Sequence, residues 1–97
     1  MVLYNVTVSV SEESANDWVK YMMDEHIPDV LATGHFRDFR LCNVQGDAQG
    51  GVTFAVQYMA RSVEAFKTYQ KDHAPALQAK HQAKWGSKAT GFRTVLP

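Results

Sequence analysis

Two histidines stand two residues ahead of a proline, His26 in "DEHIPDVL" and His73 in "KDHAPALQ". Histidine titrates near neutral pH, so a facing pair could work as a general acid and base or share a metal ion. Joint metal binding needs both nitrogens at roughly 2.1 Å from the ion. The two fall on different predicted helices, so their spacing in sequence sets no distance between them. No third ligand follows at a recognisable interval and no His-x-x-x-His helix occurs, so neither a metal nor another cofactor is expected. A second reading is local. Pro28 cannot donate to the carbonyl of Asp24, nor Pro75 to that of Lys71, because proline lacks an N–H. Each histidine could bond the carbonyl thus freed. The sequence leaves open whether His26 faces a ligand or caps the chain.

Other chemistry is thin. Arg37, Arg40 and Arg93 fall on predicted strands, where an arginine can bind an anion or guard a sheet edge against pairing. The glycine-rich "GDAQGG" lacks the lysine and following helix of a phosphate loop. No nucleophile elbow and no Cys/His nucleophile pattern appears. Cys42 is the single cysteine. It can form no internal disulfide and suits a small buried position.

The elements that must position these groups are easier to read. Residues 2–10 alternate, with Val2, Tyr4, Val6, Val8 and Val10 on one face and Leu3, Asn5, Thr7 and Ser9 on the other. A helix follows, capped by Ser11 or Ser14, with Ser14 and Asp17 at the spacing of a capping pair. Trp18, Met22, Ile27, Val30 and Leu31 give its apolar positions, and Gly34 ends it. Asp24 and Glu25 would sit badly at the negative end of that helix. They sit well if a new segment starts at Pro28, so the helix is expected to kink or restart there. A strand over 35–44 leads through the turn-rich "QGDAQGG" to a third strand, "VTFAVQY", with Phe54 and Tyr58 on one face. Ser62 caps a second helix carrying Phe66, Tyr69, Leu77 and Trp85 and ending at Gly86. "ATGFRTVL" is the fourth strand.

The order β-α-β-β-α-β is that of the ferredoxin-like fold, an α+β sandwich with two helices on one face of a four-stranded antiparallel sheet. Ninety-seven residues suit one such domain, taken as 1–97. The chain also repeats in order: "VTVSV" matches "VTFAV", "DEHIPDVL" matches "KDHAPALQ", and "TGHFR" echoes "TGFR". Each half is then one βαβ unit.

Two helices cover one sheet face only. The face of Tyr4, Val6, Val8, Phe54, Val56 and Tyr58 is the natural one to cover. The other carries Asn5, Thr7 and Gln57 among Leu3 and Ala55, a semi-polar surface suited to pairing with a second copy around a small-molecule cavity. Asn5, Thr7, His26, Gln57 and Arg93 are the candidate ligand-binding residues. A nucleic-acid platform is excluded. Ten basic residues balance ten acidic ones, and the third strand lacks the basic residue and stacking aromatics of an RNA-binding sheet. The start of the chain reads as a strand, with no signal peptide, and no apolar run reaches the ~18 residues of a membrane span. A cytoplasmic location is the default.

"YNVTV", "HIPDVLATGHF", "GGVTFAVQY", "APAL" and the closing "GFRTVL" together resemble domain-of-unknown-function family 4286, of the dimeric α/β-barrel superfamily. The resemblance spans nearly the whole chain. It implies a ferredoxin-like protomer whose open sheet face meets a second copy, and it implies no activity and no catalytic residues. The wider superfamily holds cofactor-independent monooxygenases, isomerases, haem-degrading enzymes and ligand-binding regulatory domains. Some have a histidine near the first helix, which raises His26 as a pocket residue. The expected function is a homodimer with a small-molecule cavity between the two sheets, in a binding or accessory role. The alternatives are a cofactor-free monooxygenase or isomerase, and a structural dimer with a filled barrel.

Overall fold

Alternating β-branched and aromatic residues build four strands in the computed structural model, which describes residues 2–45 and 51–97. They are β1 (Val2–Ser11), β2 (Phe36–Asn43), β3 (Gly51–Ala60) and β4 (Ala89–Leu96). The sheet order is β2-β3-β1-β4, with every pairing antiparallel. The two repeated segments are thus the two central strands. With its helices packed on one face this is the ferredoxin-like α+β fold. Most of the "QGDAQGG" turn lies outside the described residues.

Register places the side chains as the period of two requires. Tyr4 sits opposite Tyr58 and Val95, Val6 opposite Val56 and Arg93, and Val8 opposite Phe54 and Gly91. All of these face the helices. On the reverse face Asn5 pairs with Gln57 and Thr94, and Thr7 with Ala55 and Phe92. Gly91 is required by a close approach: a Cβ there would run into the carbonyl oxygen of Thr7.

The first helical stretch enters through a 3-10 turn, Glu12–Ser14, into α1 (Ala15–Tyr21). Neither Ser11 nor Ser14 caps it with its side chain. Because α1 grows out of a turn that is already helical, its first amides need no hydroxyl. The expected interruption at Pro28 takes the form of a π turn, Met22–His26, leading into α2 (Ile27–Ala32). The Ile27 N–H donates five residues back, to Met22. A wider turn lets a continuous helix hold a proline that can neither donate nor tolerate the carbonyl four residues back. Gly34, at φ 82°, stops the stretch and returns its N–H to Leu31 over 3.1 Å.

The second stretch meets its proline differently. Ser62 caps α3 (Val63–Asp72), accepting from the Ala65 N–H over 3.0 Å. The chain then breaks at His73 (φ −124°, ψ −41°) and restarts as α4 (Ala74–Trp85). The repeated His-x-Pro motif thus gives a bulge in one half and a break in the other.

Between helices and sheet lies an aromatic core. Tyr4 is at its centre, with ring centroids 5.2 Å from Phe66, 5.9 Å from Tyr58, 6.0 Å from Tyr69 and 6.2 Å from Phe36. Phe54 is buried against Trp18 at 5.0 Å, so it offers nothing for a base to stack on. Among the described residues no helix is long and apolar enough to cross a membrane.

Candidate functional site

Trp18, Met22, His26 and Val30 recur every fourth residue, slightly longer than the 3.6-residue α-helical turn. The π turn absorbs that excess, so His26 stays on the face that Trp18 and Met22 present to the core. From the other side α4 presents Gln78, His81 and Gln82, at the spacing of one helical face. Below them lie Val6, Val8 and Val56 of the sheet. These groups line a partly open cavity of about 150 Å³ within the protomer, completed by Tyr4, Tyr58, Tyr69, Gly91 and Arg93. Gln82 and Arg93 are exposed and form its rim.

The two cavity histidines face each other, with ring centroids 5.6 Å apart and planes at 69°. Trp18 Nε1–H donates to His81 Nε2 over 3.0 Å. An indole only donates, so His81 Nε2 is the bare nitrogen and neutral His81 carries its proton on Nδ1. Burial lowers the His81 pKa, and the Arg93 charge lowers it further. His26 is affected more strongly. Burial, then the His81 charge, push its pKa down to about 4, against a smaller opposing pull from Asp29. Both rings are therefore neutral at physiological pH.

Two polar atoms in this wall are buried with no partner among the described residues, His26 Nδ1 and Tyr58 Oη. Burial raises the pKa of the Tyr58 and Tyr69 hydroxyls well above the ordinary tyrosine value, so both stay protonated. Tyr4 is raised by burial as well, and the Arg93 and Gln78 side chains against its hydroxyl pull it partly back. At one end of the cavity, then, stand a guanidinium, phenol O–H groups and an amide; at the other, two neutral imidazoles.

Of the candidate residues, His26 and Arg93 come together here. Asn5, Thr7 and Gln57 do not, since their strand positions turn them to the open face. There Asn5 Nδ2 donates to Thr7 Oγ1 over 3.0 Å. That face carries only shallow depressions, one lined by Thr7, Ser9, Thr53 and Phe92, the other by Leu3, Arg40, Gln57 and Met59. This cavity lies between sheet and helices within one chain, whereas the expected one lies between two sheets and needs a second copy. Of the two readings left open for these histidines, carbonyl capping is not the one seen. Among the described residues neither His26 nor His73 donates to a carbonyl. The π turn gives the freed region an alternative hydrogen bond, and His73 instead packs 5.3 Å from His35. No three His, Cys, Asp or Glu side chains cluster as a metal site among the described residues.

His81, with Gln78 and Gln82, was not foreseen. The signal was present in α4: Gln78, His81, Gln82 and Trp85 follow the i, i+3, i+4, i+7 spacing of one helical face.

The profile of the family described as Domain of unknown function (DUF4286) matches residues 1–97, and the chain belongs to that family. Comparison with curated proteins gives no match. Among solved structures, a candidate antibiotic biosynthesis monooxygenase from Deinococcus radiodurans is similar at TM-score 0.67 and 17% identity, covering 100% of this chain and 91% of that one. A dimeric ferredoxin-like protein from an uncultured marine organism is similar at TM-score 0.65 and 14% identity, over 98% and 93% of the two chains. An MhuD variant, with two manganese protoporphyrin IX molecules bound per active site, is similar at TM-score 0.62 and 18% identity, over 98% and 92%. At these identities the likeness is one of fold.

Proposed function

We propose that this member of the DUF4286 family is a single-domain cytoplasmic protein that binds a small molecule inside each protomer and pairs with a second copy through its open sheet face. The observation that carries the first part is the cavity between sheet and helices, with two buried polar atoms in its wall that have no partner among the described residues, His26 Nδ1 and Tyr58 Oη. An unmet buried donor or acceptor costs roughly 1–3 kcal/mol, a penalty that a ligand relieves. A cavity of about 150 Å³ is of the size that holds one aromatic ring or a short branched chain. The second part is supported by the exposed apolar side chains Phe92 and Leu96 on the open face, and by the neighbour described as dimeric.

The reading is tested by mass spectrometry of native protein and of the same sample denatured. A small molecule carried by the folded protein and released on denaturation is the expected result. Its absence, together with no protection by any member of a metabolite panel in thermal denaturation, would overturn the reading.

A catalytic role is the second reading. It is favoured by His26, neutral and with Nδ1 unpartnered, facing His81, whose Nδ1–H can donate, across one cavity. A cofactor-free oxygenation or isomerisation would use His26 to move a proton, and the Deinococcus radiodurans neighbour is a candidate monooxygenase. If a His26→Ala variant turned over an identified substrate at the full rate, His26 would have no such part.

A further inference from the structure

The cavity wall is unbalanced in charge. Among the described residues no aspartate or glutamate lines it, and Arg93 is its only ionic group, both histidines being neutral. Arg93 makes no salt bridge among the described residues; the ion pairs present are Lys20–Asp24 and Lys80–Asp29, both on the outer surface. Asp29, the acid that His26 senses, is held by Lys80 at 2.9 Å. The field of Arg93 reaches Tyr4 and Tyr69 at one end and both histidines at the other. Groups that can donate share its wall: the hydroxyls of Tyr4 and Tyr69, which feel its charge, the amide of Gln78 beside Tyr4, and the hydroxyl of Tyr58. Tyr58 is 2% exposed and its hydroxyl has no partner. Beyond them the floor is apolar, formed by Val6, Val8 and Val56.

A guanidinium with no counter-ion, sharing its wall with donors and backed by valines, is complementary to one kind of guest. We infer that the cavity takes a small organic monoanion, a carboxylate whose charged end meets Arg93 and the tyrosine hydroxyls and whose apolar body lies over the valines. This rests on the proposal that the cavity is a ligand site and goes further by fixing the charge of the ligand. A cation would meet the guanidinium at the rim with no carboxylate in the wall to offset it. A dianion would bury one charge with no partner. At the far end the bare nitrogen of His26 or the Nδ1–H of His81 can meet a hydroxyl or carbonyl on the ligand body.

The test compares three probes of one shape, benzoate, benzamide and benzylamine, by methyl and amide NMR titration of the native protein. Benzoate should shift the signals of Val6, Val8 and Val56 and bind about tenfold or more tightly than benzamide. Benzylamine should not bind. Arg93→Gln should abolish the preference, so that benzoate and benzamide bind alike, and Arg93→Lys should keep it in part, since lysine supplies charge without the planar fork. If benzamide enters the cavity as well as benzoate does, or the preference survives in Arg93→Gln, the anion inference is overturned and the cavity reading stands. If no probe shifts the cavity signals, or shifts appear only on the outer surface, both are overturned.

Discussion

Trp18 donates its indole N–H to Nε2 of His81 over 3.0 Å, joining residues 63 apart in sequence. Trp18 is fully buried, so this bond has no water to replace it. It locks the tautomer of His81 and ties α1 to α4 across the cavity. Protonating His81 would turn its acceptor into a donor and leave the indole N–H stranded.

Trp18→Phe keeps an aromatic ring against Phe54, removes this donor and leaves a small void where the second ring stood. A hydrogen bond to the bare nitrogen favours the neutral ring, so losing it should raise the His81 pKa toward its ordinary value. The expected outcome is an upward shift in the NMR titration of His81, with a stability loss of about 2 kcal/mol or more from the lost bond and the void together. An unchanged titration would show that the bond does not control the ring.

The buried histidines give stability a sign with pH. His26 has an ordinary pKa near 6.5 in the unfolded chain and about 4 in the folded one. Between those values the unfolded chain binds more protons, so stability is full above pH 6.5 and falls as the pH drops toward 4. From pH 7 to 5 the loss from His26 alone is about 2 kcal/mol, and His81, shifted in the same direction, adds to it. Urea denaturation at the two pH values should show this loss in the native protein and a clearly smaller one in His26→Gln. Equal losses in both would remove His26 as the cause.

How much of this could be read in advance differs between fold and site. The strands of the repeat were legible because β-branched residues alternate over their full length, and the alternation alone separates Tyr4, Val6 and Val8 from Asn5 and Thr7. The site was half legible. His26 stood out through Pro28, but the direction it faces depends on a π turn, and no helical period spells out which local hydrogen bond is exchanged. Arg93 was recognisable as a strand arginine. Its side of the sheet follows from the pairing of Val6 with Arg93, a tertiary fact. His81 lies on a mostly polar helix, and only the crossing of α4 over α1 gives it meaning.

Gly91→Ala tests the tight contact between β4 and β1. A methyl group driven into the Thr7 carbonyl oxygen cannot be relieved by turning a side chain, because the obstacle is backbone. The strand must shift, and it carries Arg93 two residues on. We expect a loss of about 2 kcal/mol or more in denaturant unfolding, typical of backbone strain and overpacking. Benzoate affinity should fall with it. Native-like stability would mean that β4 has room to move.

The open sheet face yields the last prediction. Phe92 is 62% exposed and sits beside Thr7, while Leu96 is 48% exposed and sits beside Leu3. Leaving such a ring in water on a flat, uncharged strip invites a second copy to cover it. A two-fold interface would bury Phe92 twice, and each burial is worth roughly 1.5–3 kcal/mol. Phe92→Asp should therefore weaken self-association by a hundredfold or more, on the order expected for losing both contacts and placing two like charges together. Sedimentation equilibrium at micromolar concentration should show a dimer for the native chain and a monomer for the variant. The cavity lies on the other side of the sheet, so benzoate should still shift Val6 and Val56 in the monomeric variant. A native chain that sediments as a monomer would remove the open face as an interface and leave the cavity untouched.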